Sequence, residues 1–149
     1  MEQMRIMLVD DEERFLETTQ KLLQKKGIEA TTATSGEKAL EMLRSHRAHV
    51  VILDVKMPGM DGIATLKEIK RQFPMVEVIM LTGHATVESA IEGLKSGATD
   101  YLMKPADIGE IIDKAKDAFS RRQHIEEKIR VAQMRFVTKS PQEILKETR

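Results

Sequence analysis

The chain has 149 residues, about one domain's worth, with 24 basic and 24 acidic side chains and no cysteine; this excludes a disulfide framework and any zinc site built on thiolates. Its opening, MEQMRIMLVDDEE, returns to charge after a few apolar residues, and no later run approaches membrane-spanning length. Neither a secretion leader nor a membrane span is expected, and the predicted location is cytoplasmic.

Short runs rich in Val and Ile alternate with longer stretches of helical period, the pattern of repeated βα units around a parallel sheet. The first strand is RIMLV (5–9), followed by a helix with Phe15, Leu22 and Leu23 on its core face and Gly27 just past its end. EATTA (29–33) is the weakest strand; Ser35 then caps a helix that buries Ala39, Leu40 and Leu43. VVIL (50–53) leads to a helix carrying Ile63, Leu66 and Ile69, stopped at Phe73-Pro74. VEVIML (76–81) leads to one in which Val87, Ala90, Ile91 and Leu94 are read as core, ending at Gly97. DYLM (100–103) and a helix opening at Asp107 complete five strands and five helices, a doubly wound α/β sandwich.

In such a sheet the loops that follow the strands share one edge, and ligands bind there. That edge receives Asp10 and Asp11 after the first strand, Asp54 after the third, Thr82 after the fourth and Lys104 after the fifth. Three carboxylates in one crevice repel one another, and burial drives an isolated carboxylate to protonate. A hard divalent cation with oxygen ligands resolves the conflict, and Mg²⁺ suits a shallow carboxylate site that keeps several waters. With Lys104 as a second cation, Asp54 could act as a nucleophile toward a phosphoryl group and Thr82 could donate to a phosphoryl oxygen. Plainer roles stand beside these: Asp10, Asp11 and Thr82 could be caps or turn residues, and Lys104 a solvated loop charge. Asp54 is harder to explain so, because it ends a four-residue apolar run and no helix starts until after Pro58-Gly59.

The segments LVDDE (8–12), LDVKMPGMDG (53–62), LTGHA (81–85) and GATDYLMKP (97–105) together resemble the receiver domain of bacterial two-component response regulators, in order and spacing, over residues 4 to 119. The resemblance implies a five-stranded parallel sheet of flavodoxin-like order 2-1-3-4-5. It implies that Asp54 accepts a phosphoryl group from a sensor histidine kinase or phosphotransfer protein. Asp11 would ligate Mg²⁺ directly, Asp10 mainly through water, and Lys56 through its main-chain carbonyl. Lys104 would pair with the acyl phosphate, and the Lys104-Pro105 bond would be cis. Thr82 and Tyr101 would form the switch, hydroxyl and ring moving together; the plainer role for Tyr101 is a half-buried strand aromatic. The readout would be the surface around the fourth helix, fifth strand and fifth helix. Lys56 and His84 would flank the path of a hydrolytic water, His84 as a surface residue that gates access.

Beyond residue 119 the last helix meets no breaker until Pro141. Positions 108, 111, 115, 118, 122, 125, 129, 132 and 136 alternate by three and four, and only Arg122 among them is polar. That is a coiled-coil stripe in which one polar residue can fix register. Its first half is shared with the domain's own core, leaving Ile125, Ile129, Ala132 and Phe136 to seek a partner; a homodimer through residues 107–136 is expected, the alternative being a signalling helix that frays or packs back on its own domain. From Ser120 on there are eight basic and four acidic residues, a net +4 against −4 on the preceding 119. The residues from 120 to 149 are read as a helical extension, with no separate output domain, and Ser140-Pro141 with Glu143 as a helix start. A charge of +4 without a reader motif is little to hold nucleic acid with, and no direct nucleic-acid binding is expected.

The segment LTGHATVESAIEGLKSGATDYLMKP (81–105) and the long helix beyond it resemble receivers that precede an ATPase module in enhancer-binding activators; receivers of this type also occur as single-domain proteins. The competing enzyme reading is a dedicated Mg²⁺-dependent aspartyl-phosphate phosphohydrolase or phosphotransferase. Such enzymes usually carry a second acid two residues after the nucleophile, where this chain has Lys56.

Overall fold

The computed structural model describes residues 3–55, 61–83 and 86–138. Strands and helices alternate along it: β1 (Arg5–Val9), α1 (Glu13–Lys25), β2 (Glu29–Ala33), α2 (Gly36–Ser45), β3 (Val50–Leu53), α3 (Gly62–Gln72), β4 (Glu77–Thr82), α4 (Val87–Lys95), β5 (Asp100–Met103) and α5 (Ile108–Thr138). The strands pair in parallel in the order β2-β1-β3-β4-β5, the flavodoxin-like order expected.

Period-two alternation sorts the strand side chains between two cores. Met7, Val9, Val51, Leu53, Val78 and Met80 face α2 and α3, meeting Leu40, Leu43, Leu66 and Ile69. Ile6, Leu8, Val50, Ile52, Ile79 and Leu81 face α1 and α5, meeting Leu16, Leu23, Ile111 and Ala115. Because β3 and β4 are covered on both faces, every one of their residues is buried, which is why β3 and residues 78–81 of β4 read as unbroken apolar runs. The edge strand β2 is only partly covered, hence its weak signal.

The helix ends follow local chemistry. Ser35 accepts from the Lys38 N–H at the start of α2 and Asp61 from the Ala64 N–H at the start of α3. Gly27 and Gly97 take positive φ values of 77° and 108°, closing α1 and α4 with paired bonds back into the last turn. β4 lies one residue later than the sequence suggests, because Val76 N–H turns back to the Phe73 carbonyl and pairing begins only where Glu77 N–H donates to the His49 carbonyl. Thr82 is therefore the last strand residue rather than the first loop residue.

Two expectations about helix faces need correction. In α1 the buried residues are Leu16, Thr19 and Leu23, while Leu22 is exposed and Phe15 half-buried. In α4, Val87, Ile91 and Leu94 are 77%, 48% and 50% exposed, so they are surface rather than core. The helix is seated instead through Gly93, where a Cβ would collide with Met80 Sδ; the close approach of backbone to sheet leaves the apolar side chains turned outward.

In α5, Ile111, Ile112, Ala115 and Ala118 are buried. Arg122, expected on a coiled-coil seam, is instead 5% exposed within its own domain. Its Nε donates to the Met75 carbonyl at 3.0 Å, just ahead of β4, and it pairs with Glu126 at 2.8 Å. From Glu127 to Phe136 every residue is exposed, so α5 leaves the domain at the edge of the sheet opposite the strand ends that carry the acids. The segment read as a second helix start, Ser140 to Glu143, lies outside the described residues.

Candidate functional site

The sheet itself fixes the main chain of the site. Beyond the last residue of each strand the pairing continues by one bond: Asp10 N–H donates to the Ala33 carbonyl, Asp54 N–H to Val9 and Lys104 N–H to Thr82, at 3.1, 2.9 and 2.9 Å. Three functional side chains thus start from positions as rigid as strand residues. The start of α3 is tied to Val55, whose carbonyl accepts from the Gly62 N–H. A Cβ at residue 62 would lie 2.3 Å from the Asp54 carbonyl oxygen, so only glycine admits α3 this close.

Asp10, Asp11 and Asp54 converge, with one carboxylate oxygen from each within 4.8 Å of the others. Asp10 and Asp54 are 1% and 5% exposed, and Asp11 lies at the exposed rim. Neither Asp10 nor Asp11 caps α1: Glu12 holds that position, and Asp10 Oδ1 accepts from the Glu12 N–H at 2.9 Å. Thr82 is fully buried and is not a cap either, since Thr86 caps α4 with a reciprocal bond to Ser89.

Lys104 is no solvated loop charge. It is 17% exposed, with Nζ 2.5 Å from Asp10 Oδ2 and 3.7 Å from Glu12 Oε1. The Lys104-Pro105 bond is cis, as the resemblance implied. Burial raises the pKa of Asp10 from its ordinary value, with the charge on Asp54 adding to the rise, and the hydrogen bond from Lys104 only partly offsets it. Burial pulls Lys104 down, but its bond to Asp10 and the surrounding carboxylates override this and leave it raised. The crevice therefore carries more negative charge than Lys104 alone balances.

Tyr101 lies in β5 and packs against the α2–α3 core; its hydroxyl is buried without a hydrogen-bond partner among the described residues. Lys56 and His84 lie outside the described residues. Two contacts escaped the sequence reading: Glu12 beside Lys104, and the Phe15 ring, which Lys104 Nζ approaches to 4.2 Å from the centroid. Glu12 directly follows the acidic pair and could have been noticed, whereas Phe15 gave only a core signal.

Comparison with known proteins now decides the family: the model of the response regulator receiver domain matches residues 6–116. The chain belongs to the response regulator receiver family. It is 39% identical over 139 residues to the transcriptional regulatory protein ZraR of Escherichia coli (strain K12), covering 91% of this chain and 32% of that one. It is 38% identical over 118 residues to the DNA-binding transcriptional regulator NtrC of the same organism, covering 79% and 25%. Among solved structures it superposes on a CheY-like receiver domain protein from Methanospirillum hungatei JF-1 with a TM-score of 0.79 and 28% identity, over 83% of this chain and 98% of that one. The receiver thus spans a quarter to a third of the length of these curated relatives.

The donor set fits a hard cation. All three ligating groups are carboxylates, two are buried, and the arrangement leaves a charge excess that a divalent ion would neutralise. Among the described residues no helix is long and apolar enough to cross a membrane.

Proposed function

We propose that in the cytoplasm Asp54 accepts a phosphoryl group, in a Mg²⁺-dependent reaction, from the phosphohistidine of a sensor histidine kinase or phosphotransfer protein. The observation that carries this reading is a buried carboxylate at a strand end, within 4.8 Å of two others, one of which, Asp10, is paired with the half-buried Lys104. Asp10, Asp11, Asp54 and the Lys56 main-chain carbonyl would hold the ion, which when bound supplies charge neutralisation to the transferring oxygens. An oxygen of Asp54 attacks phosphorus as the P–N bond breaks; the electron pair goes to the imidazole nitrogen, leaving an acyl phosphate on Asp54. Lys104 shifts its hydrogen bond from Asp10 to a phosphoryl oxygen, and the Thr82 hydroxyl donates to another.

The switch would be read on the α4–β5–α5 surface. Val87, Ile91, Leu94 and Met103 there are apolar and exposed, and Tyr101 packs, partly buried, against the α2–α3 core. Residues 1–119 would form the receiver and 120–149 its extension. The expected free stripe residues Ile125, Ile129, Ala132 and Phe136 are all exposed, which supports a homodimer through residues 107–136. Direct nucleic-acid binding is not proposed for this segment, since +4 over thirty residues is a weak footprint; the relative named DNA-binding is matched over only 25% of its length.

The test is intact mass after incubation with Mg²⁺ and acetyl phosphate, for the native chain and for Asp54→Asn. A gain of one phosphoryl group that needs Mg²⁺ and is lost in the variant is expected. No gain in a folded native chain would reduce Asp54 to a metal ligand.

A further inference from the structure

We propose that Phe15 is a positioning residue for Lys104: its ring face holds the ammonium in the crevice while the hydrogen bond passes from Asp10 to the phosphoryl oxygen. This rests on the phosphoryl-acceptor reading above.

Among the described residues, Lys104 Nζ meets Asp10 at 2.5 Å, Glu12 at 3.7 Å and the Phe15 centroid at 4.2 Å, and the Asp54 charge also favours the ammonium. The two carboxylates are poor anchors during transfer. Asp10 belongs to the acidic cluster, where a bound cation would compete for its oxygens, and the Glu12 side chain is 67% exposed, so water screens it. The ring attracts a cation through its negative face and is not a ligand for Mg²⁺. Phe15 stands on the first turn of α1, packed against the α1–α5 core, and so is itself held in place. A lysine stem has four rotatable carbons; with one side covered by an aromatic face, the ammonium has fewer directions to leave by and less water to follow it.

The experiment compares rates of Mg²⁺-dependent phosphorylation by acetyl phosphate, read as intact mass, with thermal unfolding of each variant in parallel. The chains are native, Phe15→Leu, Phe15→Tyr, and native with mono- and trifluorophenylalanine at position 15. Fluorination weakens the ring's negative face with little change in size. Phe15→Leu is expected to be about fivefold slower and Phe15→Tyr near the native rate, with the rate falling stepwise on fluorination while Tm does not follow. In a Lys104→Gln background, Phe15→Leu should change the remaining rate by less than about twofold. A Phe15→Leu rate equal to native, rates that track Tm, or the same fivefold loss without Lys104 would each overturn the proposal. A native chain that takes no phosphoryl group would instead overturn the acceptor reading. The ring contact is then read alone, as an upfield ring-current shift of the Lys104 Cε protons that disappears in Phe15→Leu; absence of that shift in the native chain also overturns the proposal.

Discussion

Asp10 shows what a residue in this crevice must tolerate: it is almost fully buried, beside Asp54, and its carboxyl is raised by burial despite its bond to Lys104. Its charge therefore opposes folding when no metal ion joins Lys104 in offsetting it. Asp10→Asn, whose side-chain oxygen can still accept from the Glu12 N–H, should stabilise the metal-free chain on the order of 1 kcal/mol, roughly 4 °C in Tm. Adding Mg²⁺ should raise the Tm of the native chain, by about 1.4 kcal/mol of stability at ten times Kd, and much less that of the variant. Thermal unfolding in EDTA and in Mg²⁺ checks both signs; a destabilised Asp10→Asn chain in EDTA would contradict the charge-crowding account. Most of this cluster was legible in the sequence, because strand ends in a parallel sheet converge by topology alone. The Phe15 contact was not, because an aromatic on an amphipathic helix gives the same pattern whether its ring meets leucines or an ammonium.

At the scale of elements, α4 and α5 show where periodicity stops being informative. An apolar stripe says that one face of a helix is kept from water, not what covers it. Val87, Ile91 and Leu94 have the spacing of core residues, yet Gly93 carries the contact with the sheet. Ile91→Ser should therefore cost less than about 0.5 kcal/mol of stability, whereas Leu66→Ala, fully buried in α3, should cost about 3. Urea unfolding of the two variants separates core from surface. Arg122 misled in the opposite sense: a polar residue in a heptad stripe reads as a register device, but here it ties α5 to the Met75 carbonyl. Arg122→Met keeps the stem's packing and loses that bond, and the urea midpoint should fall by the equivalent of 1–2 kcal/mol. On α3, Glu68 is held down to about 2 by Arg71 and Gln72. Its folded value lies below the ordinary 4.5, so its small contribution is present above that pH and lost as pH falls toward 2. A Tm difference between native and Glu68→Gln chains should shrink across the same window.

For the whole molecule, the sheet separates two ends. The acids gather where the strands finish, and α5 departs past the start of β4 at the other edge, its stripe of Ile125, Ile129 and Phe136 exposed. The 31 residues of α5 span about 46 Å at 1.5 Å per residue, so one continuous helix runs from the acidic end of the receiver to a surface well beyond it. If that surface pairs two copies, Ile129→Asp should shift elution on a sizing column toward the monomer without lowering Tm at low concentration; unchanged elution would count against a helix-borne dimer. Chemical location of the phosphoryl group tests whether Asp54 is the acceptor. Borohydride reduces an acyl phosphate to an alcohol, converting the acceptor aspartate to homoserine. Tryptic cleavage after Arg47 and Lys56 releases residues 48–56, AHVVILDVK, in which Asp54 is the only side-chain carboxylate. Homoserine in that peptide, appearing only with both Mg²⁺ and a phosphodonor, is the expected result. Homoserine in residues 6–14, which carry Asp10 and Asp11, or in neither peptide after phosphorylation, would contradict it.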